Sequence, residues 1–323
     1  MSGLDFGAAA GGDEIVRSTP GIYAAVAGGV NIDIGGRPFQ KLERRTSNPG
    51  QVKVSLGGVG RNIAHNLRLL GTRVKLFTAF GDDIYASQIE GSCARLGIDV
   101  SHARILKDGA TSVYLFISDE EGDMDAAVAD MRICEAITPK YLEGQMDIIN
   151  DAGVLVLDTN LPEESVRFLT ENSKVPIFAD PVSMAKSEKL IPCLGRIHTL
   201  KPNKNEAEKL SGVRITDSSS LYRASEKLLD TGLERVFISL GAEGVFAADQ
   251  NGAQLFPACP AAVKNTTGSG DAFMAGLVRA YLEGFTLSDT TRFASACASI
   301  TAEGEETINP ALSYESAMRR KNI

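Results

Sequence analysis

The sequence predicts an α/β protein with a mostly parallel central sheet flanked by helices. Apolar strand-like runs alternate with helix-periodic segments through most of the chain, the pattern of strands joined by crossover helices. Two stretches break that rhythm with period-two alternation. At 323 residues, 43% hydrophobic and 23% charged, the chain can form one large domain with a small appendage, without a two-domain split.

Residues 1–20 hold Ala8-Ala9-Ala10-Gly11-Gly12-Asp13-Glu14 and lack the basic and apolar regions of a secretory signal, so they read as a flexible extension before a domain over 21–323. Strand candidates follow at Tyr23–Ile32, Val74–Phe80, Val154–Asp158, Val175–Asp180, His198–Lys201 and Arg235–Leu240. Helix candidates lie between them at Arg61–Leu70, Ile84–Leu96, Glu163–Asn172, Lys204–Leu210 and Leu221–Leu229, each with apolar residues three and four apart. A Rossmann-like core is the natural outcome. The interrupting stretches are Pro38–Leu56, with Val52, Val54 and Leu56 alternating, and Ser112–Val128, where Val113, Leu115 and Ile117 precede an acidic-glycine turn. These read as antiparallel strands, for which ordinary edge hairpins of the main sheet are the bland reading.

Near the C-terminal end, Asn265-Thr266-Thr267-Gly268-Ser269-Gly270-Asp271 delivers one carboxylate to the start of an apolar, small-residue helix. Backbone N–H groups at such a helix start attract anions, and the glycines allow phosphate oxygens to approach. Asp271, ionised at its ordinary pKa, would accept a hydroxyl proton beside the amides of Gly268, Ser269 and Gly270. The bland alternative is a tight turn before an N-terminally acidic helix. Upstream, Gly57 and Gly58 permit close backbone approach, and Asn62 follows on a helix start. Asn31 and Asp33 sit at the end of the first strand candidate, where open α/β sheets place ligands, and a carboxylate there suits vicinal hydroxyls. A dinucleotide reading of Gly58-x-Gly60 lacks its third glycine, because Ile63 occupies that position.

Together these two glycine motifs resemble the paired motifs of the ribokinase-like (PfkB) sugar and nucleoside kinases. The resemblance runs from about Ala24 to the C-terminus and implies a ribokinase fold. Its small sheet would be a lid inserted at about 36–56 and 110–130, closing over the sugar. The implied reaction is ATP-dependent phosphorylation of a small-molecule hydroxyl. The implied sugar ligands are Asn31, Asp33, Gly57, Gly58 and Asn62. Lys201, Asn203 and Thr266, with Gly241 and Gly244 of the Ser239–Gly244 turn, are implied nucleotide contacts, and Glu206 of the Asn-x-x-Glu element would hold magnesium through water. The Asn203–Glu206 segment also reads as a simple N-capped helix. Asn265 stands where many ribokinases carry an aspartate near a monovalent cation such as potassium, and it removes one formal charge. Gly29–Gly36, Ser47–Gly50, Gly60–Leu67 and Glu306–Pro310 are most similar to the pseudouridine-phosphorylating members, with Ser47 and Asn160 by analogy near the base. The chain departs from them at Ala129-Asp130-Met131, where Asn-Asp-Met is expected. A kinase for another nucleoside or a free sugar is the alternative, followed by a silent sugar-binding regulator and, remotely, an NAD(P)-binding enzyme. A homodimer through the lid is compatible with the resemblance.

A net charge of −8, from 33 basic and 41 acidic residues without a basic run, disfavours nucleic acid and anionic membranes as partners. No apolar run is long enough to cross a bilayer. Five scattered cysteines without CxxC spacing suit reduced thiols and a cytoplasmic location. Three isolated histidines suggest neither a zinc cluster nor a Ser-His-Asp triad.

Overall fold

The structure, a computed structural model, describes residues 21–322; the expected N-terminal extension lies outside them. Tyr23–Ala27 (β1) is five apolar residues buried without exception. Alternate side chains of a strand face opposite ways, and here Ala24 and Val26 enter one core while Tyr23, Ala25 and Ala27 enter another. Both faces of the sheet are therefore covered, as a parallel sheet requires.

The remaining strands of that sheet are Arg73–Phe77 (β4), Ile98–Asp99 (β6), Val154–Asp158 (β10), Ile177–Asp180 (β11), Thr199–Leu200 (β12), Arg235–Ser239 (β13), Val245–Asp249 (β14) and Gly252–Phe256 (β15). Their order is β15-β14-β13-β12-β11-β10-β1-β4-β6. Pairing is parallel from β13 through β6, and the two antiparallel pairings, β13 with β14 and β14 with β15, lie at one edge. The chain proceeds outward from β1 to β4 and β6, then returns to build β10 to β15 on the other side. The crevice at the carboxyl ends of β1 and β10 is thus a topological switch point, where ligands of such sheets bind.

Asn31–Pro38 (β2), Gly50–Gly57 (β3), Val113–Ser118 (β8) and Met124–Asp130 (β9) form a separate four-stranded sheet ordered β3-β2-β8-β9. Ala79–Gly81 (β5) and Arg104–Leu106 (β7) make a third, two-stranded pairing. The alternating stretches are therefore not edges of the main sheet. One correction follows: Tyr23–Ile32 is not a single strand. It breaks at Gly28-Gly29-Val30, and Asn31 and Asp33 begin the small sheet instead of ending β1. The cause is close packing, because a Cβ on Gly60 would lie 2.9 Å from Gly28 Cα, so a helix start crosses directly over the break.

Helices Val59–Leu69, Ser269–Leu282 and Leu287–Ala302 cover one face of the large sheet through Ile63, Leu67, Met274, Leu277, Phe293 and Ala294. Gly276 lets the last two approach closely, since a Cβ there would meet Ala294 Cα at 2.7 Å. Close packing of this kind fixes where each helix begins, and two of these N-termini form the site.

Candidate active site

Val59–Leu69 starts at Gly58, whose φ of 97° disfavours any side chain, and a Cβ there would lie 2.5 Å from the Gly29 carbonyl oxygen. This turn points Asn62 into the crevice. Ser269–Leu282 starts at Gly268, in the left-handed region with φ of 83°, and a Cβ would collide with the Thr307 carbonyl. No side chain caps this helix; Ser269 N donates to the Thr266 carbonyl at 3.2 Å, and the N–H groups of Gly270 and Asp271 are left for an outside acceptor. The two starts meet: Asn62 Nδ2 donates to Asp271 Oδ2 at 2.9 Å.

Asp33 lies on β2, which follows the Gly28–Val30 break that the start of Val59–Leu69 crosses. Its Oδ1 accepts from Asn31 Nδ2 at 2.6 Å, and Gly57, opposite Asn31 in the β2–β3 register, leaves room for its carboxylate. Burial raises the Asp33 pKa, against the Asn31 hydrogen bond and Arg61, which lower it. The sugar-motif residues Asn31, Asp33, Gly57, Gly58 and Asn62 are thus brought together. Ser47 is not among them. It is exposed in the loop between β2 and β3, and the six residues of β2 from Asp33 to Pro38 span about 17 Å, five steps of about 3.4 Å. Asn160 follows the end of β10 and faces Gly29, where a Cβ would lie 2.9 Å from Asn160 Nδ2.

Behind Asp271 lies a charge cluster. Lys201 Nζ stands 3.0 Å from Asp180 Oδ2, and 3.3 Å from the place a Gly270 Cβ would take, so it borders the helix start. Burial works to lower the Lys201 pKa, but Asp180, Asp271 and Glu206 outweigh it and raise it. Asp271 is pushed up to about 7, by burial first and then by Asp180 and Asp158, despite Asn62 and Lys201. This corrects the expectation of an ordinary ionised aspartate: the helix dipole is outweighed by burial among other carboxylates.

Asn203 and Glu206 form a reciprocal capping box, Asn203 N donating to Glu206 Oε2 at 2.8 Å and Glu206 N to Asn203 Oδ1 at 3.0 Å. The capped-helix reading therefore holds for both. Asn203 is exposed with its side-chain oxygen engaged, whereas Glu206 is buried and its Oε1 meets no donor among the described residues. Its pKa is raised, by burial and then by Asp180. Asn265 spends its amide on Thr267 N (2.9 Å) and the Glu305 carbonyl (3.1 Å).

A cavity of about 520 Å³ adjoins the helix start, and Lys201, Gly241, Gly244, Thr266, Ser269 and Gly270 are among its walls. Gly241 and Gly244 both have positive φ, 62° and 101°, which sets the turn after β13. Phe273, Val245 and Ala298 make its floor apolar, suited to a flat ring with phosphates directed at Gly268–Gly270.

Asp158 and Asp180 were missed as site residues by the sequence reading. Gly29 N donates to Asp158 Oδ2 at 2.9 Å, and burial pushes Asp158 up to about 6. The signal was present, since two adjacent strand candidates each end in aspartate, at the sheet edge where ligands gather.

Comparisons with known proteins place the fold and the family. Ribokinase of Arabidopsis thaliana, solved in complex with ribose and ATP, superposes with a TM-score of 0.82 at 21% identity, covering 94% of this chain and 99% of that one. The fold is the ribokinase fold, a mixed central sheet between helices with a separate small sheet. The pfkB family carbohydrate kinase pattern matches residues 22–313, and the chain belongs to that family. Pseudouridine kinase of Escherichia coli is 39% identical, covering 90% of this chain and 94% of its own. An uncharacterized sugar kinase of Escherichia coli, YeiI, is 38% identical over 92% of this chain and 82% of its own.

Proposed function

We propose that this protein transfers the γ-phosphoryl group of ATP to the 5′-hydroxyl of pseudouridine. The carrying observation is the Asn62–Asp271 hydrogen bond, which sets the acceptor-side motif and the proton acceptor in one crevice. Similarity to the Escherichia coli pseudouridine kinase over nearly the whole chain supports the substrate. Asp33 and Asn31 would hold ribose hydroxyls, Asp271 would take the 5′-hydroxyl proton, and the Gly268–Gly270 amides with Lys201 would neutralise charge on the transferring group. The adjoining cavity would hold the nucleotide, with Gly241, Gly244 and Thr266 in its wall.

Magnesium suits the cluster of Asp158, Asp180, Glu206 and Asp271, whose mutual repulsion a divalent cation would relieve. Glu206, with one oxygen uncommitted, would hold it through water, and the ion would supply charge neutralisation on the phosphates. The residues fit potassium less well, because Asn265 offers no carboxylate and its amide is occupied; no step is assigned to that ion.

The test is incubation with ATP and a panel of pseudouridine, uridine, other nucleosides and free sugars, read as kcat/KM. Pseudouridine should lead uridine by roughly ten- to a hundred-fold, because uridine lacks one ring N–H and would leave its acceptor unpaired. Equal values, or ribose leading, would overturn the substrate. A sugar kinase is the second reading, favoured by the nearly equal similarity to YeiI.

A homodimer through the small sheet belongs to the same proposal. Val54, Leu115 and Val128 share one face of it by register and are exposed. Sedimentation of V54E as a monomer against a wild-type dimer would support it, and a monomeric wild type would overturn it. A reduced compartment such as the cytoplasm suits the free cysteines at 93, 134, 193, 259 and 297. Among the described residues no helix is long and apolar enough to cross a membrane.

A further inference from the structure

We propose that Lys186 is a positioning residue, one that fixes Asn160 as a hydrogen-bond donor toward the phosphoryl-acceptor substrate. The proposal rests on the reading that the crevice lined by Asp33, Asn62 and Asp271 takes that substrate. Lys186 Nζ lies 2.5 Å from the Asn160 side chain, on the atom assigned as Oδ1. An ammonium group has three donors and no acceptor, so the atom facing it must be the amide oxygen. The orientation of an asparagine amide is ordinarily ambiguous; a donor-only neighbour at this distance removes the ambiguity. The NH₂ group is thereby turned the other way, toward Gly29, which packs against Gly58 at the start of the Val59–Leu69 helix. Among the described residues Nδ2 donates to no protein group.

The surrounding chain is built to hold this arrangement. Asn160 N donates to Asp158 Oδ1 at 2.8 Å, which fixes the backbone. Lys189, one turn beyond Lys186, grips the same loop through the carbonyls of Thr159 (2.9 Å) and Leu161 (2.7 Å). The corner that delivers both lysines contains Val182 at φ of 61°, a conformation costly for a β-branched residue, held by Val182 N donating to Asp180 Oδ1 at 2.9 Å. Asp180 also binds Lys201, so one carboxylate anchors both the corner and the lysine beside the helix start.

An NH₂ donor recognises an oxygen acceptor, either a carbonyl of a base or a hydroxyl of the sugar. It does not recognise the extra ring N–H of pseudouridine. Asn160 thus contributes acceptor affinity, and discrimination against uridine must come from another group.

The test is a double-mutant cycle of K186M and N160A, with K186R as the conservative control. Acceptor KM and ATP KM are measured separately, using whichever acceptor the wild type phosphorylates best. Failure of the pseudouridine reading then shows in the wild-type panel and leaves the cycle interpretable. N160A should raise acceptor KM about ten-fold, the loss of one well-placed hydrogen bond, with ATP KM within about two-fold of wild type. K186M should do the same, K186R should recover most of it, and the double variant should match N160A alone. Multiplying effects, or a change confined to ATP KM, would show that Lys186 acts independently and overturn the proposal. N160D supplies a check that does not depend on K186M folding: it keeps the ion-pair partner for Lys186 and removes the donor, so it should lose acceptor affinity as N160A does. Wild-type affinity in N160D would overturn the donor assignment. Repeating N160A with free ribose separates the sources, because the effect persists if the contact is a sugar hydroxyl and vanishes if it is a base carbonyl.

Discussion

Asn62 Nδ2 and Asp271 Oδ2 meet at 2.9 Å although 209 residues separate them in the chain. The bond ties the two helix starts of the site together and aligns the carboxylate that would receive the substrate proton. Asp271 to Asn should therefore keep the shape and remove the base. A fall in kcat of about 10²–10⁴-fold is expected, with ATP binding retained by calorimetry. Near-wild-type turnover would eliminate Asp271 as the base.

The raised pKa of Asp271, about 7, gives the acceptor kcat/KM a pH dependence with a definite sign. The base works only when deprotonated, so kcat/KM should climb through pH 7 and level above about pH 8. Bound magnesium nucleotide adds positive charge and should move the kcat profile to lower pH. A flat kcat/KM profile from pH 6 to 8 would contradict this assignment.

The same shift has a consequence for stability. Between the ordinary pKa of 3.8 and about 7 the folded state holds a proton that the unfolded chain has released. The associated stability is full below about pH 4 and declines as pH rises toward 7. D271N has no such proton, so its melting temperature should gain on wild type as pH rises from 5 to 8. Parallel curves for the two proteins would show that Asp271 is not strained by burial.

Gly57 to Ala would drive a Cβ into the Asp33 carboxylate. Acceptor KM should rise at least about ten-fold, comparable to D33A, where losing a charge-assisted hydrogen bond should cost about 1.5–3 kcal/mol of binding. ATP KM should hardly change. Isothermal titration with the acceptor is the measurement, and unchanged affinity in both variants would remove Asp33 from the sugar site.

Gly244 to Ala should have the opposite selectivity. Its φ of 101° and its packing against the Phe256 carbonyl leave no room for a side chain, so the turn bordering the large cavity must shift. ATP KM should rise several-fold with acceptor KM preserved. The reverse pattern would place the nucleotide elsewhere.

Much of this was legible in the chain because local rules carry it. Val154–Asp158, Ile84–Leu96 and Glu163–Asn172 emerge with the boundaries that periodicity suggests, and Gly57, Gly58, Gly60 and Gly268 sit at positive-φ or crowded positions that require glycine. Less legible was the break after Ala27. Val30 and Ile32 carry the apolar alternation past Gly28-Gly29, and the crossing of Gly60 over Gly28 shows that the chain turns there into a second sheet.

The alternation of strands and helices, the two glycine-framed helix starts and the place of Asp271 were readable from the chain, since each depends on residues within a few positions of one another. Folding in three dimensions is what makes Asp271 an unusual carboxylate, brings Asp158, Asp180 and Lys201 into its surroundings, and sets Lys186 against the Asn160 amide. Those properties depend on burial and on distances between strand ends far apart in the chain. Charges brought together at the carboxyl edge of a sheet interact through a poorly solvated interior, and no local pattern of residues records that energy.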